Sequence, residues 1–339
     1  MSDISVPDAH TPSGSGQESP GPQAAGDGGS LAGNLTGVLF SPGPTFSRIL
    51  DKPTWAGALG VYIFAVALST LVYSLNVDWE AMFRGQFEGS LGWKFMSSVL
   101  SESQLDQAER TALDSILETG RGGMALQTVT QSVIYGTIAV HAMATLFATL
   151  FYLMGALGDL KLGRLYLDGL LAFGLLLVFT FAGAAARGLL GFEAREFMPI
   201  QAGLNGLFSL AYAWLLYKTV ERQPTFKKFF SVYAHAMAVP AVAALLAMVV
   251  MLLHSEPITV AGNEILRSNL GALFGVEGSG VGATLLGSME IFHLWELVIV
   301  AIGFAAISRL SIATSTAITF LPWGFITMAR VALAAVFGG

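Results

Sequence analysis

Residues 122–158 have the sequence GGMALQTVTQSVIYGTIAVHAMATLFATLFYLMGALG, which carries no formally charged side chain over 37 positions. A helix crosses the hydrocarbon core of a bilayer with about 20 apolar residues. The stretch is therefore long enough for one tilted span with a lead-in. We predict a membrane-spanning helix here, and the rest of the chain is interpreted from it.

The composition of the whole chain agrees with a membrane protein. Of its 339 residues, 54% are hydrophobic and 12% are charged, and the mean hydropathy is +0.65. An average soluble protein carries roughly twice that charged fraction, so this chain has too little charge to cover its apolar surface in water. The absence of Cys excludes a disulfide scaffold, a zinc–thiolate site and a cysteine nucleophile. The net charge of −6 provides no basic surface for nucleic acid.

Further apolar stretches predict additional spans. They are residues 53–77, 165–186, 197–217, 229–255, 290–308 and 310–333. Pro240 and Pro322 lie inside two of them, which a span tolerates when neighbouring helices satisfy the freed carbonyl. We predict an all-α fold, a polytopic helical membrane bundle of about five to seven spans that covers residues 54–339. The count is seven unless residues 169–186 and 197–217 form shallower or broken elements.

Basic residues in the connections between spans indicate the orientation, because short cytoplasmic loops are enriched in Lys and Arg. One set of connections is basic, and the other, which includes residues 76–123, is acidic. The N-terminus is then cytoplasmic, the C-terminus is extracytoplasmic, and residues 76–123 form an extracytoplasmic loop of an inner (plasma) membrane protein. Within that loop we predict an amphipathic helix at 103–118, capped by Ser103. The basic set is Arg48, Lys52, Lys161, Arg164, Lys218, Arg222, Lys227, Lys228 and Arg309.

The N-terminal region divides into a tail and a short helix. Residues 1–35 are rich in Gly, Pro and Ser, which predicts disorder because such a segment cannot bury enough apolar area. Residues 36–53 predict an amphipathic helix in the membrane surface, with an apolar face of Phe46, Ile49 and Leu50. We predict two contact regions with the membrane or with partner proteins. One is this helix, including Arg48, and the other is the basic turn at Lys227 and Lys228.

Polar residues inside predicted spans are candidates for an intramembrane site, because burying charge in a bilayer is costly. Glu290, His293 and Glu296 follow one another at helical spacing along one side of a span. Glu290-x-x-His293 is formally a di-iron helix motif, but the chain contains no second copy, so we favour a hydrogen-bonded helix cap without metal. Glu296 is the deepest acid and needs a partner. His141 lies mid-span, where an interhelical hydrogen bond is favoured over a proton relay.

Two stretches resemble the Yip family of Rab/Ypt-interacting membrane proteins and their bacterial relatives. Residues 41–55, SPGPTFSRILDKPTW, are similar to the approach to that family's first span, and residues 225–240, TFKKFFSVYAHAMAVP, are similar to a later span. Glu290 and Trp295 continue the match, although the family usually has Asp at the first position. The resemblance implies a helical membrane protein with a cytoplasmic N-terminus and no enzymatic chemistry. Eukaryotic members bind Rab GTPases, a partner not carried over because the Ala/Gly-rich composition suggests a bacterial source.

Two functional hypotheses remain open. In the first, the chain is a non-enzymatic inner-membrane protein without cofactor that organises membrane or recruits membrane-protein partners, a second copy of itself included. In the second, it is an accessory or integral subunit of a transport system, either a permease or a partner of an ATP-driven exporter. The second predicts a polar cavity near mid-membrane that His141 or Glu296 lines. The sequence contains no P-loop, GxSxG or dinucleotide motif that would support an enzyme.

Overall fold

The computed structural model describes residues 29–83, 101–190, 194–259, 265–276 and 280–337, and within these ranges the chain forms helices and no strand. Six helical stretches among them are long and apolar enough to cross a membrane. The prediction of an all-α, polytopic helical bundle is therefore confirmed. The six stretches are Ala56–Asn76, Leu117–Leu153, Leu162–Phe179, Pro224–Leu253, Ile291–Ser308 and Ile312–Ala335.

Twelve helices are distinguished along the described ranges. They are α1 (Leu31–Phe40), α2 (Pro42–Asp51), α3 (Ala56–Asn76), α4 (Glu102–Leu153), α5 (Leu162–Leu190), α6 (Ala194–Arg222), α7 (Pro224–Ala236), α8 (Ala238–Leu253), α9 (Leu270–Leu273), α10 (Val281–Ser288), α11 (Ile291–Ser308) and α12 (Ile312–Phe337).

The N-terminal region contains two helices where one was predicted. Ser30 begins α1 by accepting a hydrogen bond from the Gly33 N–H, so the predicted end of the tail at residue 35 falls inside this helix. Residues 1–28 of that tail lie outside the described residues. Ser41 separates α1 from α2, and Pro42 then occupies the first position of α2, where its missing N–H costs nothing.

Helix α4 combines the predicted amphipathic helix with the span that follows it. The cap is Ser101 rather than Ser103, and Gln104 completes a capping box by accepting from the Ser101 N–H (3.0 Å). Gly120 interrupts the helix with a φ of 66°, a conformation that glycine adopts without a side-chain penalty. Part of the predicted extracytoplasmic loop, residues 84–100, lies outside the described residues.

Helices α5 and α6 follow each other closely and pack against one another and against α4. Phe208 and Tyr212 of α6 are buried in an apolar cluster with Ile134 and Ala172. Helix α6 covers the predicted span 197–217, yet it is not among the six apolar stretches, because polar residues such as Gln201 interrupt it. Its polar side chains are paired, since Gln201 Nε2 donates to Asn205 Oδ1 (3.0 Å).

The helix of the predicted span 229–255 is interrupted by a single residue about a third of the way along. Helix α7 ends at Ala236 and α8 begins at Ala238, with Met237 between them. Pro240 explains the position of the break, because it lacks the N–H that would bond to the Ala236 carbonyl and its ring crowds that carbonyl. Pro322, by contrast, lies inside a continuous α12.

Helix α7 lies at the centre of the bundle and is buried from Phe229 to Ala236. It packs against α2, α4, α6 and α11. Phe229 packs against Phe304 of α11 with ring centroids 4.6 Å apart, and Phe151 of α4 contacts both rings edge to face. The aromatic residues at the start of this predicted span therefore belong to the core, and their side chains hold three helices together.

Candidate functional site

Hydrogen bonds between distant segments define two ends of the bundle. At one end, Trp55 Nε1 donates to Glu221 Oε1 (3.2 Å) and the Lys161 N–H donates to Gln223 Oε1 (3.2 Å). We call this the basic end. At the opposite, far end, Val77 pairs with Ile258 in an isolated β-bridge. The basic end thus brings together the α3 start, the α5 start and the α6–α7 turn.

The two lysines of the predicted contact surface differ in their surroundings. Lys227 Nζ forms an ion pair with Glu221 Oε2 (2.7 Å), whereas the Lys228 side chain is exposed. The hydrogen bond from Lys227 lowers the pKa of the Glu221 carboxyl, against the opposing effect of partial burial. Lys227 therefore orders the α6–α7 turn, and the Lys228 side chain lies on the surface of the bundle.

The apolar face of α2 contacts the bundle, which corrects the prediction of a helix with that face in the membrane surface. Phe46 is 0% exposed and Ile49 is 2% exposed, and Leu50 packs against the same core. A Cβ at Gly303 would collide with Phe46 and Val232, so the glycine of α11 makes the close approach of α2 possible. Phe46 and Ile49 are therefore core residues and present no surface to lipid or to a partner. The side chain of Arg48 is exposed.

At the far end, Glu290 is the N-cap of α11. Its carboxylate accepts hydrogen bonds from the N–H groups of Phe292 (3.2 Å) and His293 (2.6 Å) and from the Ser268 hydroxyl. These bonds satisfy N–H groups that lack an intrahelical partner, and the negative charge suits the helix N-terminus. Glu290 therefore fixes the start of α11 and ties it to the segment before α9.

Glu296 lies one to two turns further along α11 and is 7% exposed. Its Oε1 accepts from the Tyr233 hydroxyl (3.2 Å), and its Oε2 accepts from Nδ1 of His293 (3.3 Å). Both carboxylate oxygens thus have a donor, which compensates the cost of removing the group from water. Because Nδ1 of His293 is engaged, the Nε2 atom is the one left for other contacts.

These groups line a cavity of about 520 Å³ between α3, α8 and α11. Its polar wall contains Glu290, His293 and Glu296, and α8 contributes Pro240 and a row of alanines. Alanine leaves the space between α8 and α11 open because its side chain is a single methyl group. The remaining lining residues are Val66, Ser69, Thr70, Tyr73, Met251, Ile265, Leu266, Ser268 and Phe292.

His141 lines a different and more apolar cavity, of about 330 Å³, between α4, α5 and α6. It is 4% exposed, and its Nδ1 lies 2.9 Å from the Tyr212 hydroxyl. Its Nε2 has no hydrogen-bond partner among the described residues. The interhelical hydrogen bond matches the interpretation favoured from the sequence, and His141 and Glu296 belong to separate sites.

Two residues of these sites were not singled out from the sequence. Tyr233 and Tyr212 supply the hydroxyl partners of Glu296 and His141. Asp168 of α5 is 6% exposed and accepts from Thr219 Oγ1 (3.0 Å), so it is a buried, hydrogen-bonded residue of the bundle. No spacing rule links position 233 to 296, because they lie on different helices. In the sequence, the aromatic run at the start of α7 was the signal that pointed toward Tyr233.

No group of three His, Asp or Glu side chains converges as a metal site in the part of the chain that the structure describes. A comparison of the chain with known protein families, with curated proteins and with solved structures finds no match. The fold and the apolar helices therefore define the class by themselves. The chain is a multi-pass helical membrane protein.

Proposed function

We propose that the protein is a non-enzymatic subunit of a membrane transport system, with the cavity between α3, α8 and α11 receiving a small solute. The observation that carries the proposal is Glu296, held at the cavity wall by Tyr233 and His293. Ionisable residues inside a bilayer are costly and are concentrated on solute or ion pathways. The alternative that Glu296 only joins α7 to α11 does not account for the space beside it.

The shape of the cavity also supports solute binding. Its volume of about 520 Å³ falls in the range of small-molecule sites. Pro240 lines it beside the one-residue turn at Met237, and irregular backbone inside a span is tolerated where it lines a cavity. With carboxylates and an imidazole on one wall and alanines opposite, the cavity suits a solute with a polar or cationic group on an apolar body.

The orientation forms part of the proposal. The basic end would lie in the cytoplasm, and the far end, where the cavity reaches Ser268 and Glu290, would lie outside. Solute would then approach from the extracytoplasmic face of an inner membrane.

Water access to the cavity tests this function, and the absence of native Cys makes the test free of background. Ala244 lines the cavity, whereas its neighbour Leu245 is exposed on the outer surface of the bundle. We expect Ala244→Cys to react with a membrane-impermeant maleimide added outside intact cells. Leu245→Cys is the matched control at the same depth and should remain unreactive in lipid, because the reactive thiolate requires water.

If both variants are equally protected from the maleimide, the proposal is contradicted, since the proposed solute site needs access from the outside. Reaction of both variants to the same extent would contradict it as well, because α8 would then not have a dry, lipid-facing side. Insertion is checked for each variant by the amount of protein recovered from the membrane fraction.

The second candidate is the recruitment of partner proteins by a member of the Yip family. It is favoured by the exposed cations of the basic end, namely Arg48, Lys52, Lys161, Arg164 and Lys228. Membrane-protein partners and a second copy of the chain would bind at this end. The candidate requires that the basic end face the cytoplasm, so a thiol at position 228 that reacts with an impermeant reagent from outside would exclude it.

A further inference from the structure

We propose that α1, α2 and the start of α3 form a binding pocket for the phosphate headgroup of an anionic phospholipid. The pocket lies at the basic end and has a volume of about 240 Å³. Two cationic side chains, Arg48 and Lys52, line it together with the polar residues Asn34 and Thr54. The proposal is independent of the solute cavity, which lies elsewhere in the bundle.

The guanidinium of Arg48 is held in place by a neutral partner. Nε and Nη2 donate to Oδ1 of Asn34 at 3.2 and 3.0 Å, and Nδ2 of Asn34 donates to the Gly29 carbonyl (3.1 Å). Asn34 is 6% exposed, so it orients the guanidinium rigidly. An amide oxygen leaves the positive charge uncompensated, and the other N–H groups of Arg48 can still donate to an anion.

The charge of the pocket has no counterpart on its own wall. No Asp or Glu lines the pocket among the described residues. The nearest acid in the sequence, Asp51, has an exposed side chain, and Glu221 of the same end is engaged by Lys227 and Trp55. Two cations facing one polar pocket provide a site for an anion, and a phosphate group accepts from Arg and Lys together.

The surroundings of the pocket favour a lipid over free phosphate. The apolar span begins at Ala56, directly beside Thr54, so the pocket lies at the level of lipid headgroups. Helix α1 has no charged residue, and its Leu31 and Phe40 side chains are exposed on the surface of the bundle, Phe40 to 78%. Acyl chains that cover this apolar helix would continue from a headgroup bound beside Arg48.

The pocket depends on close packing between α1 and α3. A Cβ at Gly57 would lie 3.1 Å from the Leu31 side chain, so the glycine lets α1 lie against the first turn of α3. This contact places Asn34 and Arg48 above the start of the span. The pocket is therefore a product of the folded N-terminal helices and would be lost if they separated.

The test measures the thermal unfolding midpoint of the full chain in a nonionic detergent, with short-chain lipids added. Phosphatidylglycerol should raise the midpoint in a saturable way, whereas phosphatidylcholine and inorganic phosphate should not. Lys52→Gln should raise the lipid concentration for half of the maximal effect about fivefold, the usual value of one cation near anionic lipid. Arg48→Gln combined with Lys52→Gln should abolish the effect.

The control is Lys228→Gln, which removes an exposed cation of the same end outside the pocket and should leave the phosphatidylglycerol response unchanged. Lys52→Gln leaves the hydrogen bonds between Arg48 and Asn34 intact, so it removes a cation without disturbing the rest of the pocket. If Lys52→Gln and the unmodified chain respond equally to phosphatidylglycerol, the proposal is overturned. An equal response to phosphatidylcholine would also overturn it. A response to inorganic phosphate that matches phosphatidylglycerol would replace the lipid with a soluble anion.

Discussion

At the scale of single residues, two buried polar side chains of the spans are paired with a hydroxyl group from another helix. Glu296 of α11 meets Tyr233 of α7, and His141 of α4 meets Tyr212 of α6. The sequence identified Glu296 and His141, because a polar residue in an apolar stretch is visible without a structure. It did not identify the two tyrosines, because a hydrogen bond between helices depends on how they pack and leaves no pattern along the chain.

We expect Glu296→Gln to insert normally and to unfold more easily, by about 1–3 kcal/mol. The Gln carbonyl can still accept from Tyr233, but one carboxylate acceptor is replaced by an amide donor that faces Nδ1 of His293. The measurement is denaturant unfolding in detergent, followed by Trp fluorescence. Glu256→Gln, an exposed acid in the segment that follows α8, is the control and should be neutral. Identical unfolding of both variants would show that the network does not contribute to stability.

At the scale of elements, apolar length predicted seven spans, and six of them are long and apolar enough to cross a membrane in the described part of the chain. The amphipathic pattern of α2 was open to two interpretations. Phe46, Ile49 and Leu50 form the same stripe whether a helix lies on lipid or on another helix. The structure shows the second arrangement, and the decisive residue is Gly303 on a helix near the other end of the chain. Single glycines are common in membrane spans, so the sequence alone does not predict which helix packs against Gly303.

We expect Gly303→Ala to destabilise the fold by about 1–3 kcal/mol, because the added methyl group collides with Val232 and Phe46 in a packed core. The matched control is Gly324→Ala in α12, where a Cβ meets no atom within 4 Å. That change should be neutral or slightly stabilising, since alanine favours helix over glycine. Thermal unfolding of both variants in the same detergent compares them, and a neutral Gly303→Ala would contradict the packing of α2 on α11.

At the scale of the whole molecule, basic connections that are far apart in the sequence lie together at one end of the bundle. The hydrogen bonds of Trp55, Lys161 and Lys227 gather three basic connections at one end, and the bridge between Val77 and Ile258 marks the other. The sequence predicted which basic residues belong together from the spacing of the spans alone. Which end faces the cytoplasm remains a prediction from the enrichment of Lys and Arg in short inner loops.

Single-Cys variants at opposite ends test this orientation. Lys228→Cys should be protected from an impermeant maleimide in intact cells and should react after the membrane is opened. Asn76→Cys, at the exposed end of α3, should react in intact cells. The reverse labelling pattern would show that the protein has the opposite orientation in the membrane. The cavity would then not open to the outside as proposed.

The contact between Phe46 and Gly303 has a consequence for how the protein is made. The two residues are separated by about 250 positions, and ribosomes add roughly 5–20 residues per second. Helix α2 therefore waits on the order of 10–50 s after its synthesis before its binding groove on α11 exists. A nascent chain in that interval carries an unoccupied apolar stripe at the membrane surface, so chaperones and insertion factors have a defined segment to shield.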